Sequence, residues 1–212
     1  MTSRLLSLLL IFGLVGCTFD PTSQSVTDAY RVIHAQEPEG RLDPKYRYIR
    51  VEVEGHPAYM ALGYVDQEKG GPVDVWYSSD RNLLRLQNGR IAGSAMKDGV
   101  DWISVSYVHL PDWSAIHDRA YFERRRDVSP GYRYGINEKM LIRRISAPKD
   151  SNLLRVSPSS LSWFEETVVG ADSRPSRYAV NEKGRVVYGE QCLSSDFCLS
   201  WQDWPYSEMG AH

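Results

Sequence analysis

Leu83-Leu84-Arg85-Leu86-Gln87-Asn88-Gly89-Arg90-Ile91-Ala92 is the stretch whose reading decides the fold. Two short apolar runs, Leu83 to Leu86 and Arg90 to Ala92, flank Gln87-Asn88-Gly89. Asn-Gly is the preferred pair for a type I′ turn, because both central positions need positive φ. The stretch therefore predicts a two-stranded hairpin, and the same grammar extends in both directions. Upstream, Val73-Asp74-Val75-Trp76-Tyr77-Ser78 reads as a strand after the turn Gln67-Glu68-Lys69-Gly70-Gly71-Pro72. Before it, Ile49, Val51 and Val53 alternate with Arg50, Glu52 and Glu54, and Ala58 to Val65 returns after Gly55-His56-Pro57. Downstream, Trp102 to Tyr107 alternates, and Arg133 to Ile136 pairs with Lys139 to Ile145 around Asn137-Glu138. Trp163 to Val169 is a further strand, and Arg177 to Val180 and Arg185 to Tyr188 embrace Asn181-Glu182-Lys183-Gly184. Pro111 to Arg126 fits either a short helix or an edge strand with Tyr121 and Phe122 inward. One helix is expected, where Val26, Ala29, Tyr30 and Ile33 take i, i+3, i+4, i+7 spacing before Pro38-Glu39-Gly40. Strands recurring about every ten residues predict an all-β antiparallel meander, a sandwich or open barrel with one short N-terminal helix.

The start of the chain has a different character. Arg4 precedes an apolar run from Leu5 to Val15 that ends at Gly16-Cys17. A basic residue, roughly a dozen apolar ones and small residues before a cut make a secretory signal. The run is too short to cross a bilayer, which takes about 20 apolar residues. Leu14-Val15-Gly16-Cys17 is similar to the lipobox of bacterial lipoproteins, in which the cysteine is acylated and becomes the first mature residue. Residues 1–16 are thus expected to be a lipoprotein signal peptide, 17–25 a tether and 26–212 a single β-rich domain. Thr18 follows the cysteine in place of the aspartate that retains lipoproteins at the inner membrane. The expected location is therefore the periplasmic face of the outer membrane, held by lipid at Cys17. A formal charge of −2 over 212 residues argues against nucleic acid as a partner. With Cys17 lipidated, Cys192 and Cys198 remain as a pair in an oxidising compartment. They are expected to form a disulfide across Leu193-Ser194-Ser195-Asp196-Phe197, a small loop worth about 2 kcal/mol in the chain-entropy model.

Val75-Trp76-Tyr77-Ser78-Ser79-Asp80, then Leu84-Arg85-Leu86-Gln87-Asn88-Gly89-Arg90-Ile91 and Asp101-Trp102, resemble the YjbF-type lipoproteins, relatives of the GfcB lipoprotein of group 4 capsule gene clusters. The resemblance adds the Tyr30-Arg31-Val32-Ile33-His34-Ala35 segment and hairpins such as Tyr178-Ala179-Val180-Asn181, and covers most of the chain after Cys17. It implies an all-β outer-membrane lipoprotein that assists capsule or exopolysaccharide assembly or export, with polysaccharide or export proteins as partners. It supplies no catalytic residues, and the Cys192–Cys198 pair is not part of it.

Reaction motifs occur only in fragments. Ser94-Ala95-Met96-Lys97 matches S-x-x-K, but that motif needs its serine at a helix start, and neither S-D-N nor K-T-G accompanies it. Glu165-Glu166, Asp66, Asp74 and Asp80 suggest glycoside hydrolysis, yet adjacent strand residues face opposite ways, and surface charge is the expected role. His109, Asp112, His117 and Asp118 match no zinc spacing. No G-x-S-x-G, P-loop or dinucleotide fingerprint occurs, so the expectation is a protein that is not an enzyme and carries no cofactor or metal. Trp76, Tyr77, Trp102, Trp113 and Tyr121 either stack on sugar rings or fill the β core, and Arg124-Arg125-Arg126 either meets acidic sugars or is solvated. Trp201, Trp204, Pro205 and Tyr206 are the expected exposed patch for glycan or a partner. A periplasmic glycan hydrolase and a structural envelope scaffold are the alternatives.

Overall fold

The Asn88-Gly89 turn forms as its sequence demands, with φ of 48° and 74° at its two central residues. It joins Leu83–Gln87 (β4) to Arg90–Ala95 (β5). The computed structural model of the protein describes residues 42–97 and 99–205. Cys17, the tether and the helix expected near Val26 to Ile33 lie outside the described residues, as do Tyr206 and the last six positions. The preceding strands are Tyr48–Val53 (β1), His56–Glu68 (β2) and Gly71–Tyr77 (β3). After β5 come Asp101–Val108 (β6), Arg119–Ser129 (β7), Arg133–Ile145 (β8), Ser162–Val168 (β9), Ser176–Val180 (β10), Val186–Cys192 (β11) and Cys198–Trp204 (β12).

Every ladder is antiparallel, and the spatial order is β5-β4-β3-β2-β1-β12-β11-β10-β9-β8-β7-β6. Each strand therefore lies beside its chain neighbour, except where β1 pairs with β12, Val51 opposite Trp201. The remaining gap, between β5 and β6, is bridged by side chains. Trp102 N–H donates to Ser94 Oγ at 3.0 Å, Met96 N–H to Asp101 Oδ1 at 2.7 Å, and the Tyr107 hydroxyl to the Ile91 carbonyl at 2.8 Å. The meander is thus a nearly closed twelve-stranded barrel, which leaves almost no sheet edge exposed.

Period-two alternation sends one side of each strand inward. Ile49, Val51, Met60, Trp76, Leu84, Ile91, Trp102, Phe122, Met140, Ile142, Phe164, Tyr178, Leu199 and Trp201 make one continuous interior. Pro111 to Arg126 is neither helix nor edge strand. A single 3-10 turn, Trp113–Ala115, drops Trp113 into the barrel and then continues into β7, which has neighbours on both sides. Trp113 packs 5.2 Å from Phe164 and 5.1 Å from Tyr178, and its Nε1–H donates to the Asn88 carbonyl at 3.1 Å. Asn137-Glu138, expected as a turn, lies within the unbroken strand β8. Outside the barrel, the connection 146–161 lies over β9 to β1. Asn152 N–H donates to the Tyr188 hydroxyl, Gln202 Nε2 donates to the Leu154 carbonyl, and Trp163 Nε1 donates to the Pro158 carbonyl. Trp163, Ala179 and Tyr188 are buried beneath it.

Candidate functional site

Among the cavities of the described residues, two enter the barrel interior from opposite ends. One, of about 200 Å³, lies beside the Asn88-Gly89 turn and is lined by Arg47, Asp74, Trp76, Arg185, Trp201 and Asp203 among others. The other, of about 380 Å³, opens where the β9–β10 and β11–β12 loops meet the rim. Charged and polar side chains dominate its wall: Arg124, Arg126, Glu138, Glu166, Gln191, with Asp172 and Arg174 at the entrance. The two share no lining residue, because Trp113 and its aromatic neighbours fill the space between.

The strand period builds this wall. Arg124 and Arg126, two apart on β7, face inward, while Arg125 pairs with Asn137 on the outer face. Arg124 lies opposite Glu138 of β8, and Arg126 two pairs further along, opposite Ile136. Glu138 accepts from Arg124 Nε at 2.7 Å, from Arg126 Nε at 3.0 Å and from Arg126 Nη2 at 2.8 Å. Burial opposes ionisation of Glu138, but the hydrogen bond from Arg126 and the charge of Arg124 outweigh it and hold its carboxyl below the usual range. Both guanidinium carbons sit over Trp102, at 4.8 and 4.6 Å, and the indole Nε1–H donates to the Leu193 carbonyl at 3.0 Å. Trp102 thereby fixes the angle of two arginines.

Deeper in, Glu166 accepts from Arg90 Nε at 2.6 Å. The Arg90 guanidinium lies 3.7 Å from the Trp113 ring, with Phe122 and Tyr178 beside it, and its two Nη groups have no hydrogen-bond partner. The Tyr178 hydroxyl donates to Gln191 Oε1 at 3.2 Å, and burial pushes its pKa well above that of a free phenol.

Against the residues singled out by sequence, the outcome is mixed. Trp76, Trp102, Trp113 and Trp201 are interior, and Trp204 is buried on the outer face against Tyr48 and Ala61. None of the five leaves a free ring face on the surface, and Trp204, expected in an exposed patch, is only 4% exposed. The reason is barrel closure: Cys198–Trp204 is a strand with Trp201 turned inward, and Tyr59 and Arg155 cover Trp204. Tyr77 is half-buried beside Tyr64, while Tyr121 is exposed at 52%. Cys192 and Cys198 are joined in a disulfide that closes the β11–β12 loop at the cavity rim. Glu165 and Glu166 do face opposite ways, Glu165 bonding Arg143 outside; Glu166, expected at the surface, is 3% exposed because Arg90 receives it inside. Ser94 lies in a strand, its Oγ occupied by Trp102 N–H, and Lys97 falls beyond the strand end. His109, Asp112, His117 and Asp118 are dispersed along the exposed β6–β7 connection, and the described residues contain no cluster able to hold a metal ion.

Sequence reading missed Arg90, Glu138, Glu166, Gln191 and Arg174 as one group. Arg124 and Arg126 at i, i+2 were the available signal, since that spacing puts two cations on one strand face.

Among solved structures, the crystal structure of the hypothetical lipoprotein YmcC from Escherichia coli (K12) is similar to this chain, with a TM-score of 0.60 and 17% identity over 84% of this chain and 95% of that one. At that identity the likeness is one of fold. No family model matches the chain, and no curated protein matches it.

Proposed function

We propose that this protein is a non-enzymatic, lipid-anchored protein of the outer membrane, facing the periplasm, that assists capsule or exopolysaccharide assembly or export by holding glycan at the mouth of its barrel. The observation that carries this reading is the cavity of about 380 Å³ with its pre-set arginine, carboxylate and amide side chains. Its volume falls within the roughly 300–1,000 Å³ of small-ligand sites, and its polar lining suits hydroxyl-rich ligands. Supporting it are the lipobox at Cys17, the resemblance of the Trp76 and Asn88-Gly89 segments to YjbF-type lipoproteins, and the fold likeness to YmcC, itself described as a lipoprotein.

Glu138 and Glu166 line one cavity, which favours glycoside hydrolysis as the competing reading. Two features weigh against it. A glycosidase general acid needs a raised pKa, and Glu138 is held low by two arginines. Ile142, not Glu138, stands opposite Glu166, so the two glutamates lie about four residues apart along the sheet, and each carboxylate is taken up by arginine, Glu138 by Arg124 and Arg126 and Glu166 by Arg90.

Deleting the gene tests the proposal. Surface polysaccharide should fall, and Cys17→Ala should release the protein from the outer-membrane fraction with the same loss. Unchanged polysaccharide in the deletion strain would overturn the reading. New reducing ends on incubating the protein with purified polysaccharide would replace it with the hydrolase.

A further inference from the structure

We propose that the ligand at this mouth is an acidic sugar, a terminal or branching residue whose carboxylate enters the cavity against Arg124, Arg126 and Arg174. The inference rests on the glycan-holding reading and narrows its ligand class.

Charge balance is the first argument. Arg124, Arg126 and Arg174 line the cavity with Glu138, Glu166 and Asp172, and Arg90 stands behind Glu166. In the buried part, the three cations Arg90, Arg124 and Arg126 face the two carboxylates Glu138 and Glu166, an excess of one positive charge, while Arg174 and Asp172 stand at the exposed entrance. Glu138 is shared: Arg126 takes both of its oxygens, and Arg124 reaches it through Nε alone. One carboxylate therefore serves two guanidinium groups whose side chains are only 7% and 16% exposed. An uncompensated charge at such depth is costly, and an entering carboxylate removes the cost. Arginine forks also match carboxylate geometry in a way that a lone ammonium does not.

Position is the second argument. Arg174 sits at the exposed entrance, where its Nη1 reaches Cys198 Sγ at 3.9 Å, a weak contact that an incoming carboxylate can replace. Gln191 lines the same wall, and Ser173, Ser194 and Ser195 ring the mouth, supplying neutral hydrogen-bonding groups for sugar hydroxyls. The third argument concerns shape. Trp113 and its neighbours separate this cavity from the one at the opposite end, so a polymer cannot thread the barrel. The ligand enters and leaves by one mouth, which selects a chain end or side branch.

The test titrates the full-chain protein in detergent micelles by calorimetry, with tryptophan emission as a second readout because Trp102 lines the cavity. The probes are trigalacturonate, trimannuronate and an oligosaccharide of alternating glucuronate and N-acetylglucosamine, each beside its carboxyl-reduced form, and sodium acetate. At least one acidic form should bind at least tenfold tighter than its reduced counterpart. Arg174→Gln, an exposed change that leaves the core intact, should weaken it roughly tenfold, the scale of one charged hydrogen bond. Glu138→Gln should tighten binding, since it removes a competing carboxylate; a purely structural Glu138 would give no tightening. Equal binding of acidic and reduced forms would overturn the acidic class and leave glycan holding in place. Acetate displacing the oligosaccharide at equal concentration would reduce the site to a simple carboxylate site. Binding of no member of either series would overturn both readings.

Discussion

Glu166→Gln is the change whose cost the structure defines most sharply. The Arg90 side chain has 0% exposure and that of Glu166 2%, with 2.6 Å between Arg90 Nε and Glu166 Oε1. Glutamine keeps the shape and an acceptor oxygen but leaves the Arg90 charge uncompensated inside the barrel. Removing one partner of a buried pair costs about 3–5 kcal/mol. The Trp113 face, 3.7 Å from the guanidinium carbon, survives the change and continues to stabilise the cation, which places the expected loss near the lower end, about 3 kcal/mol. Arg90→Met strands Glu166 in turn and should cost a similar amount. The double variant Arg90→Met/Glu166→Leu removes both charges and should fall within about 1 kcal/mol of the parent, since apolar replacement of a buried pair is often near neutral. Urea unfolding followed by tryptophan emission is well suited, because all six tryptophans are buried and should shift together. A loss below about 1 kcal/mol for Glu166→Gln, or a double variant as costly as the two singles combined, would refute the coupling.

Gly189→Ala should destabilise by about 1–3 kcal/mol, because a β-carbon there would come within 2.4 Å of the Trp201 ring, itself locked in the core; an unchanged urea midpoint would show that the ring can yield. Cys192→Ser/Cys198→Ser should cost about 2 kcal/mol and loosen the cavity rim, read as faster amide exchange confined to the β11–β12 loop. Asp203 carries a pH signature. Burial, against the opposing charge of Arg185, pushes its carboxyl up to about 6 from 3.8. A raised acid favours the folded state fully below pH 3.8 and loses that contribution as pH rises through about 6. Asp203→Asn should therefore gain stability relative to the parent between pH 4 and 7, by about 3 kcal/mol in total, and a flat difference across that range would contradict it.

The strands on either side of Asn88-Gly89 were legible because each has one dry and one wet face, so period two shows in the sequence. Cys198–Trp204 was not recognised as a strand. Its outer face carries Ser200, Gln202 and Trp204, and the connection 146–161 reaches over it with Gln202 bonded to Leu154, so both faces are covered and the alternation blurs. Asn137-Glu138 resembled a turn because two polar residues interrupt an apolar run. In the barrel the interruption marks where the interior changes from apolar to charged, with Glu138 inward on Arg124 and Arg126. The candidate site was visible only in part for the same reason. Arg124, Arg126 and Trp102 stood out by type, but nothing local couples them to Glu138 or to Arg90 and Glu166, which are 76 positions apart.

Local chemistry alone determined the all-β class, the hairpins, the inward and outward faces of most strands, and the Cys192–Cys198 staple, since each depends on residues within about ten positions of one another. The tertiary structure alone decided that β1 closes on β12, that Trp113 plugs the space between two cavities, and that two arginines share one carboxylate at the mouth. Those outcomes are set by the closure of twelve strands into one wall, and no short window of sequence carries the distance across a barrel.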